Sequence, residues 1–398
     1  MTEKSNSIYD LFQHVEAEGV INNVEVKPVT YVENENNDQY GIFSTKAVNA
    51  KEILISVPYH LCISLDAVFQ SKLSCIFQSD EFSGLISYPD EVMAIGIMSA
   101  LKIELPWSLH VSTMPKYINS TIFWEDEDIK KLSPTSIYHL TNMMKKQISN
   151  DWENIHYPLT IKYPDLLGEA TIETYKWALS MIYSRAVGFT RRGKYVRCIP
   201  PILDMANHFC YDGKEAADSF NFSETDDSIR LLSINNKEAG QECFAIYGPY
   251  PNSKLLFTYG FVIQNNIHNA IDLWTRITPS TLNYEKKNHI LNSNKLTSIQ
   301  TYDFEGTIRA GYISSSLLST VRIIQCDEQE IESGAYQNTF NGKMISIKNE
   351  LSTYTSLKAL ISSRIKLFNS EVKFQILILL IYNYIYQFDK NVYLCYYY

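Results

Sequence analysis

Apolar residues along this chain alternate between helical and strand spacing. Ile8, Leu11, Phe12 and Val15 recur at threes and fours, which predicts a first helix stopped by Gly19. Val24 and Val26 then alternate with Glu25 and Lys27 as a short strand, and the polar run Glu33 to Gln39 reads as a turn. Tyr40-Gly41-Ile42-Phe43 resumes an extended pattern, and Ile53 to Pro58 is a buried strand closed by proline. After Ser64 the spacing turns helical in Leu65 to Phe77, Asp90 to Ile103, Ile137 to Ile148 and Ile172 to Ser184, with Trp107, Pro115 and Trp124 in the connections. Strand character returns from Val196 to Phe261, most clearly in Ile229 to Ile234 and Cys243 to Tyr247. From about Pro279 the chain is helical again, with one stripe at Leu317, Val321 and Ile324 and another at Leu357, Ile361 and Ile365. The charged segment between these stripes reads as a loop, and no internal repeat is present.

A helical block between two β-segments predicts an α+β chain in which helices are inserted into a β-rich domain. The expected segments are 1–64 (first helix and first β-part), 65–180 (helical insertion), 181–275 (second β-part), 276–370 (an all-helical domain) and 371–398. The last segment contains the uncharged run Phe374 to Phe388. That run is short for a membrane span and is interrupted by Gln and Asn, so it reads as a packed last helix. A tail anchor and a miscalled C-terminus are the alternatives.

Composition narrows the function classes. With 398 residues, 45% hydrophobic and 20% charged, the chain is globular and long enough for more than one packing unit. The net charge of −9 argues against nucleic acid as the main partner, because no basic surplus exists to neutralise phosphates. Seven cysteines stand singly, at 62, 75, 198, 210, 243, 326 and 395, so no structural zinc site or other metal is expected. An odd count behind a polar N-terminus predicts a reducing compartment, cytosol or nucleus, and no membrane association.

The stretch Ile199 to Phe261 carries the candidate chemistry. Pro200-Pro201 exclude a helix interior, which predicts that Asp204-x-x-Asn207-His208 lies at the end of an extended segment. The second half, with Tyr247-Gly248, Asn252 to Leu256 and Tyr259-Gly260-Phe261, has the aromatic, glycine-punctuated composition of a pocket wall. Singly these residues are ordinary: an Asp-x-x-Asn-His run is commonly a turn or cap, and a tyrosine among 28 is commonly packing.

Taken in order, the motifs resemble the SET-domain methyltransferases, in the branch of the Rubisco large-subunit lysine methyltransferase and its actin-histidine relatives. The resemblance runs from about Ile8 to Lys366. Tyr40 to Phe43 is similar to the turn along the cofactor, and Trp107 to Pro115 with Trp124 to the insertion's tryptophan pattern. Trp177-Ala178 and Ser184-Arg185-Ala186 match further family motifs. Asp204 to His208, Tyr247-Gly248 and Asn252 to Phe261 match the two halves of a threaded-loop active site, and Leu317 to Ile324 the start of a helical substrate-binding domain. Five positions depart from the pattern: Gln39 replaces a usual glycine, Lys51 a turn glycine, Leu109-His110 a Pro-Tyr pair, and Phe220 a pocket tyrosine.

The resemblance implies S-adenosylmethionine as cofactor and a protein substrate. It implies cofactor contacts from Gln39, Tyr40, Gly41, Arg185, Asn207 and His208, Tyr247 as the catalytic residue, and Asp204, Phe220 and Tyr259 around the acceptor. In this reading Arg185 offers a planar donor to the cofactor's carboxylate, and Asp204 lies near the mouth of the acceptor channel. A lysine of a non-histone protein is the expected acceptor, because Gly188 to Arg192 offers no asparagine to bind a histidine ring. A monomer is expected. The alternatives are a histidine acceptor and an interaction module that keeps the fold without turnover. A hydrolase is excluded because His208 has no nucleophile motif beside it.

Overall fold

Strands form at Val24–Pro28, Tyr40–Ser44, Ile53–Pro58 and Ser228–Leu232 where the alternating segments predict them, and strand pairing explains the insertion. The computed structural model describes residues 3–29, 39–133, 135–210, 219–272, 275, 277–294, 296, 307–309 and 312–367. Strands β1 (Val20–Ile21), β2 (Val24–Pro28), β3 (Tyr40–Ser44), β4 (Ile53–Pro58) and β5 (Ile63–Ser64) precede the helical block. β6 (Val187–Arg191), β7 (Lys194–Ile199), β8 (Phe220–Ser223) and β9 (Ser228–Leu232) follow it. The sheets have the orders β1-β4-β9-β8, β5-β7-β6 and β2-β3. Strands from before and after the helices therefore pair, Ile55 with Leu231 and Ser64 with Cys198. Closing so long a loop adds little entropy beyond a short one, since the cost grows only with the logarithm of length.

β5 and β7 separate two hydrophobic cores, and the period of two makes this possible. Cys62 and Cys198 face the β-core with Leu54, Ile55, Val57 and Leu231. Ile63 and Ile199 face the helical core with Val92, Ile95, Tyr175 and Ile182. The helix Pro89–Ala100 is buried from Val92 through Ser99, apolar on every face. Its packing is completed by Trp107, whose Nε1 donates to the Gly96 carbonyl at 3.0 Å, while Trp177 Nε1 donates to Pro115 at 2.9 Å.

Three segments differ from the sequence expectation. Leu65 to Phe77 is two short helices, Leu65–Phe69 and Ser74–Phe77. Ser71 divides them by donating to Val68 O and accepting from Leu73 N, a side-chain competition with the helix ladder. Cys243 to Tyr247 is no ladder strand and makes only isolated bridges, because it threads between other segments. The polar stretch between the two C-terminal stripes contains the helix Glu328–Glu332, opened by a capping box of Asp327 and Glu330.

The chain divides into two compact units, Met1–Ile129 with Thr141–Ile267, and Lys130–Leu140 with His268–Tyr398. The second contains the helices Tyr284–Ser293, Ser315–Gln325 and Ile347–Lys366, where Leu317 and Val321 pack on Leu357 and Ile361. It also contains a small sheet that helical spacing did not predict, β10 (Ile271–Asp272), β11 (Thr307–Arg309) and β12 (Tyr312–Ile313). Among the described residues no helix is long and apolar enough to cross a membrane. The expected turn before Gln39 and the Phe374 to Phe388 run lie outside the described residues.

Candidate active site

β7 ends at Ile199, and the chain turns abruptly after the two prolines. Ile202 takes φ 64°, ψ −48°, and Leu203 N–H donates to Pro201 O at 2.7 Å, a γ-turn of the strained positive-φ type. For a β-branched residue this conformation costs on the order of 1–3 kcal/mol and persists only where packing over-determines it. Ile202 is fully buried in the β-core, which supplies that packing. A 3₁₀ turn, Leu203–Met205, follows. Asp204 is thus in a tight turn and not at the end of an extended segment, because the γ-turn reverses the chain first.

Beyond the turn, Ala206 to His208 meets the threaded segment. Ala245 N–H donates to Asn207 O at 2.8 Å, and Phe209 N–H donates to Ala245 O at 2.9 Å, in a parallel bridge. Tyr247 N–H donates to His208 Nδ1 at 3.1 Å, and the Tyr247 hydroxyl donates to Ala206 O at 2.9 Å. β3 closes the third side, where Asn207 Nδ2 donates to Tyr40 O at 3.0 Å and to Glu242 Oε1 at 2.8 Å. Gly41 permits this approach: a Cβ there would lie 2.5 Å from Glu242 Oε1 and 3.0 Å from Asn207 Nδ2. Gly248 is needed for a different reason. Its φ of +151° excludes other residues, and the Tyr250 ring occupies the space a side chain would take.

Aromatic rings line the Tyr247 side. Tyr259, the last residue of the helix Asn252–Tyr259, has its ring 4.8 Å from that of Tyr247, and His208 lies 5.0 Å away, nearly parallel. Phe261 and Tyr250 extend the cluster, at 6.1 and 6.3 Å from Tyr259. Asn252 fixes the returning chain through both amide atoms on Ile263. Burial pushes the Tyr247 phenol up to about 12, and Tyr259 is raised further by the same cause. Both are neutral hydroxyls at physiological pH.

The charged side is a buried cluster. Arg185, ending the helix Ile172–Arg185, donates Nη1 to Asp204 O at 3.1 Å and to Asp204 Oδ2 at 2.9 Å. His110 Nε2 lies 3.2 Å from the same Oδ2. Burial would raise the Asp204 carboxyl, but His110 and Arg185 offset it and leave it below the usual carboxylate range. The Asp204 side chain is 1% exposed although its backbone reaches the surface, so the carboxylate does not stand at a channel mouth as expected.

The structure brings Tyr40, Gly41, Arg185, Asp204, Asn207, His208, Tyr247 and Tyr259 together. Gln39 is exposed just before β3, its carbonyl accepting from Val29 N–H at 3.0 Å. Phe220, the first residue of β8, lies opposite Leu231 and packs on the same β-core as Tyr247, and the preceding Ser219 Oγ accepts from Ile246 N–H at 2.8 Å. Three contributors were not identified from sequence. Glu242 and Tyr250 carry no local signal, and His110 was visible only as a departure from a motif.

A family description, Rubisco LSMT substrate-binding, matches residues 278–378. The actin-histidine N-methyltransferase of Mus musculus is 21% identical over 307 residues, 75% of this chain and 50% of that protein. That of Gallus gallus is 20% identical over 359 residues, 86% of this chain and 59% of its own. The chain thus spans about half the length of the curated relatives it matches. Among solved structures, the SET domain of LSMT bound to lysine and AdoHcy superposes with a TM-score of 0.69 at 18% identity, over 93% of this chain and 83% of that one. Rubisco LSMT bound to AdoMet gives 0.68 at 19% identity, with the same coverage. The chain has the split SET fold of the Rubisco LSMT type, and a region matching that enzyme's substrate-binding family follows it.

Proposed function

We propose that this chain is an S-adenosylmethionine-dependent protein N-methyltransferase whose acceptor is a lysine side-chain amine of a non-histone protein in the cytosol or nucleus. The observation that carries the reading is the crossing, where the Tyr247 hydroxyl meets the Ala206 carbonyl beside Asn207 and Arg185. The solved neighbours add support, since those proteins are bound to AdoMet, or to AdoHcy and lysine.

The residues fit such a cofactor. Arg185 has Nη1 engaged by Asp204 while its side chain stays 19% exposed, which leaves the outer edge of the guanidinium to meet the cofactor's carboxylate. Asn207, His208, Tyr40 and Gly41 would hold the rest, with Gln39 at the edge. When bound, S-adenosylmethionine supplies a methyl group on an electron-poor sulfonium. The chain's own work is then positioning and charge management. An arriving ammonium must become neutral before it can attack, and the desolvated aromatic cluster of Tyr247, Tyr259 and Phe261 favours the neutral form. Ring faces hold the cationic side chain on its way in. Tyr247, neutral with its phenol at about 12, orients the amine as a hydroxyl and is no general base. Asp204 acts from beneath by fixing Arg185. Phe220 is proposed at the outer edge of the acceptor site, on β8.

A histidine acceptor is the second reading, favoured by the names of the curated relatives. Against it, the Gly188 to Arg192 segment offers little to an imidazole. Arg191 is engaged by Asp227 through Nε and Nη2 and by Asp66 through Nη1, and Gly188 lies under the Tyr195 hydroxyl. An interaction module without turnover is the remaining alternative. The test incubates the chain with methyl-labelled cofactor and cell extract, followed by amino-acid analysis of the labelled band. Labelled methyllysine supports the first reading and labelled methylhistidine the second. No label together with no cofactor uptake would leave the interaction module.

A further inference from the structure

The helical insertion touches the crossing through one side chain that the chemistry above does not use. His110, in the helix Ser108–Thr113, is 2% exposed and directs Nε2 at Asp204 Oδ2. Arg185 Nη1 reaches the same oxygen, so two partners from two helices converge on one carboxylate atom. Among the described residues, three polar atoms of this cluster are buried without a partner: His110 Nδ1, Asp204 Oδ1 and Arg185 Nε. Stability alone does not account for this arrangement, since a buried ion pair is at best neutral against apolar packing and loses further when polar atoms are left bare.

The arrangement also avoids the geometry an arginine and a carboxylate prefer. Left to themselves, they close into a fork with two parallel N–H···O bonds. Here Nη1 alone reaches Asp204, on its backbone O and on Oδ2, and Oδ2 is shared with His110 from the insertion side, so no fork forms. We infer that His110 is a positioning residue. It keeps Asp204 turned so that Arg185 is held through Nη1 and the partly exposed edge of its guanidinium stays open to the cofactor, and it steadies the Leu203–Met205 turn that presents the Ala206 carbonyl to Tyr247. The Arg185 part rests on the methyltransferase reading. The steadying of the turn does not.

The experiment compares the full-length protein with His110→Phe, His110→Leu and His110→Gln. Two readouts are taken: hydrogen exchange of the Ile202–His208 backbone by mass spectrometry, and S-adenosylmethionine affinity by calorimetry. Both apolar variants should keep the native fold but melt lower, exchange this segment about tenfold faster, and bind cofactor about tenfold more weakly, as expected when a buried hydrogen bond to a charged group is lost. His110→Gln, which can still donate, should restore both. Unchanged exchange in the apolar variants overturns the inference. So does a His110→Gln variant as defective as the apolar ones, or faster exchange with unchanged cofactor affinity. If wild type itself takes up no cofactor, the methyltransferase reading falls, and the exchange comparison alone decides the role of His110.

Discussion

The β1-β4-β9-β8 sheet and the crossing at Asn207 and Tyr247 belong to the same unit but are specified in opposite ways. The sheet is a repeated backbone ladder, in which Ile55, Val57, Ile229 and Leu231 contribute burial and little else. Any apolar residue of similar volume would keep its register, because the alternation sets it. The crossing has only isolated bridges and is held by particular side chains: Asn207 on Tyr40 and Glu242, Tyr247 on Ala206, Arg185 and His110 on Asp204. Regular structure distributes its specification, whereas the crossing concentrates it in a few atoms. Substitutions in the sheet should therefore change stability gradually, and those in the crossing should change function first.

The largest contrast is expected at Tyr247. Tyr247→Phe keeps the ring but removes the hydroxyl on Ala206. Methyl transfer should fall by about a hundredfold or more, as when a preorganised donor is lost, with a stability change near 1 kcal/mol. Turnover and thermal melting of the same preparation check this, and parallel losses in both would remove the contrast. Asn207→Ala comes next. It deletes the donor to Tyr40 and Glu242 and should cost about 2–3 kcal/mol, the range for bonds to a charged group, with loss of cofactor binding. Ile55→Val, in the sheet, should cost about 1 kcal/mol in denaturant melts and leave turnover unchanged. A turnover defect in Ile55→Val would show that the two regions are not separable.

Acid stability gives the smallest effect, and its sign follows from Asp204. Its folded carboxyl lies below the ordinary value of 3.8, so the unfolded chain binds the proton more readily. Its contribution is present above that value and fades as pH falls through the folded one. Asp204→Asn should therefore flatten the loss of stability below about pH 4 in acid melts. An unchanged acid limb would contradict the charged assignment.

The same contrast governs what the sequence made legible. β4, β9 and the helix Pro89–Ala100 follow from periodicity, because many residues vote for each. Leu65 to Phe77 misled periodicity because Ser71, one polar side chain, outweighs the apolar spacing. The helix Glu328–Glu332 announced itself only through Asp327 and Glu330, two acids in a stretch whose charge reads as a loop. In the site, Asn207, His208 and Tyr247 were found through motif order and not through any physical pattern of their own. Ile202 could not be foreseen at all: a β-branched residue gives no sign of a γ-turn, and its strain is held by core packing assembled from distant strands. His110 and Glu242 likewise acquire meaning only when the insertion and the threaded segment close around Asp204 and Asn207.

The central claim is that one crossing serves two sites, with Asn207 on the cofactor side and Tyr247 on the acceptor side. Calorimetric titration of S-adenosylmethionine into wild type, Tyr247→Phe and Asn207→Ala tests it most directly. Wild type and Tyr247→Phe should bind alike, and Asn207→Ala should not bind. Absence of binding by wild type, or an equal loss in both variants, would contradict the account.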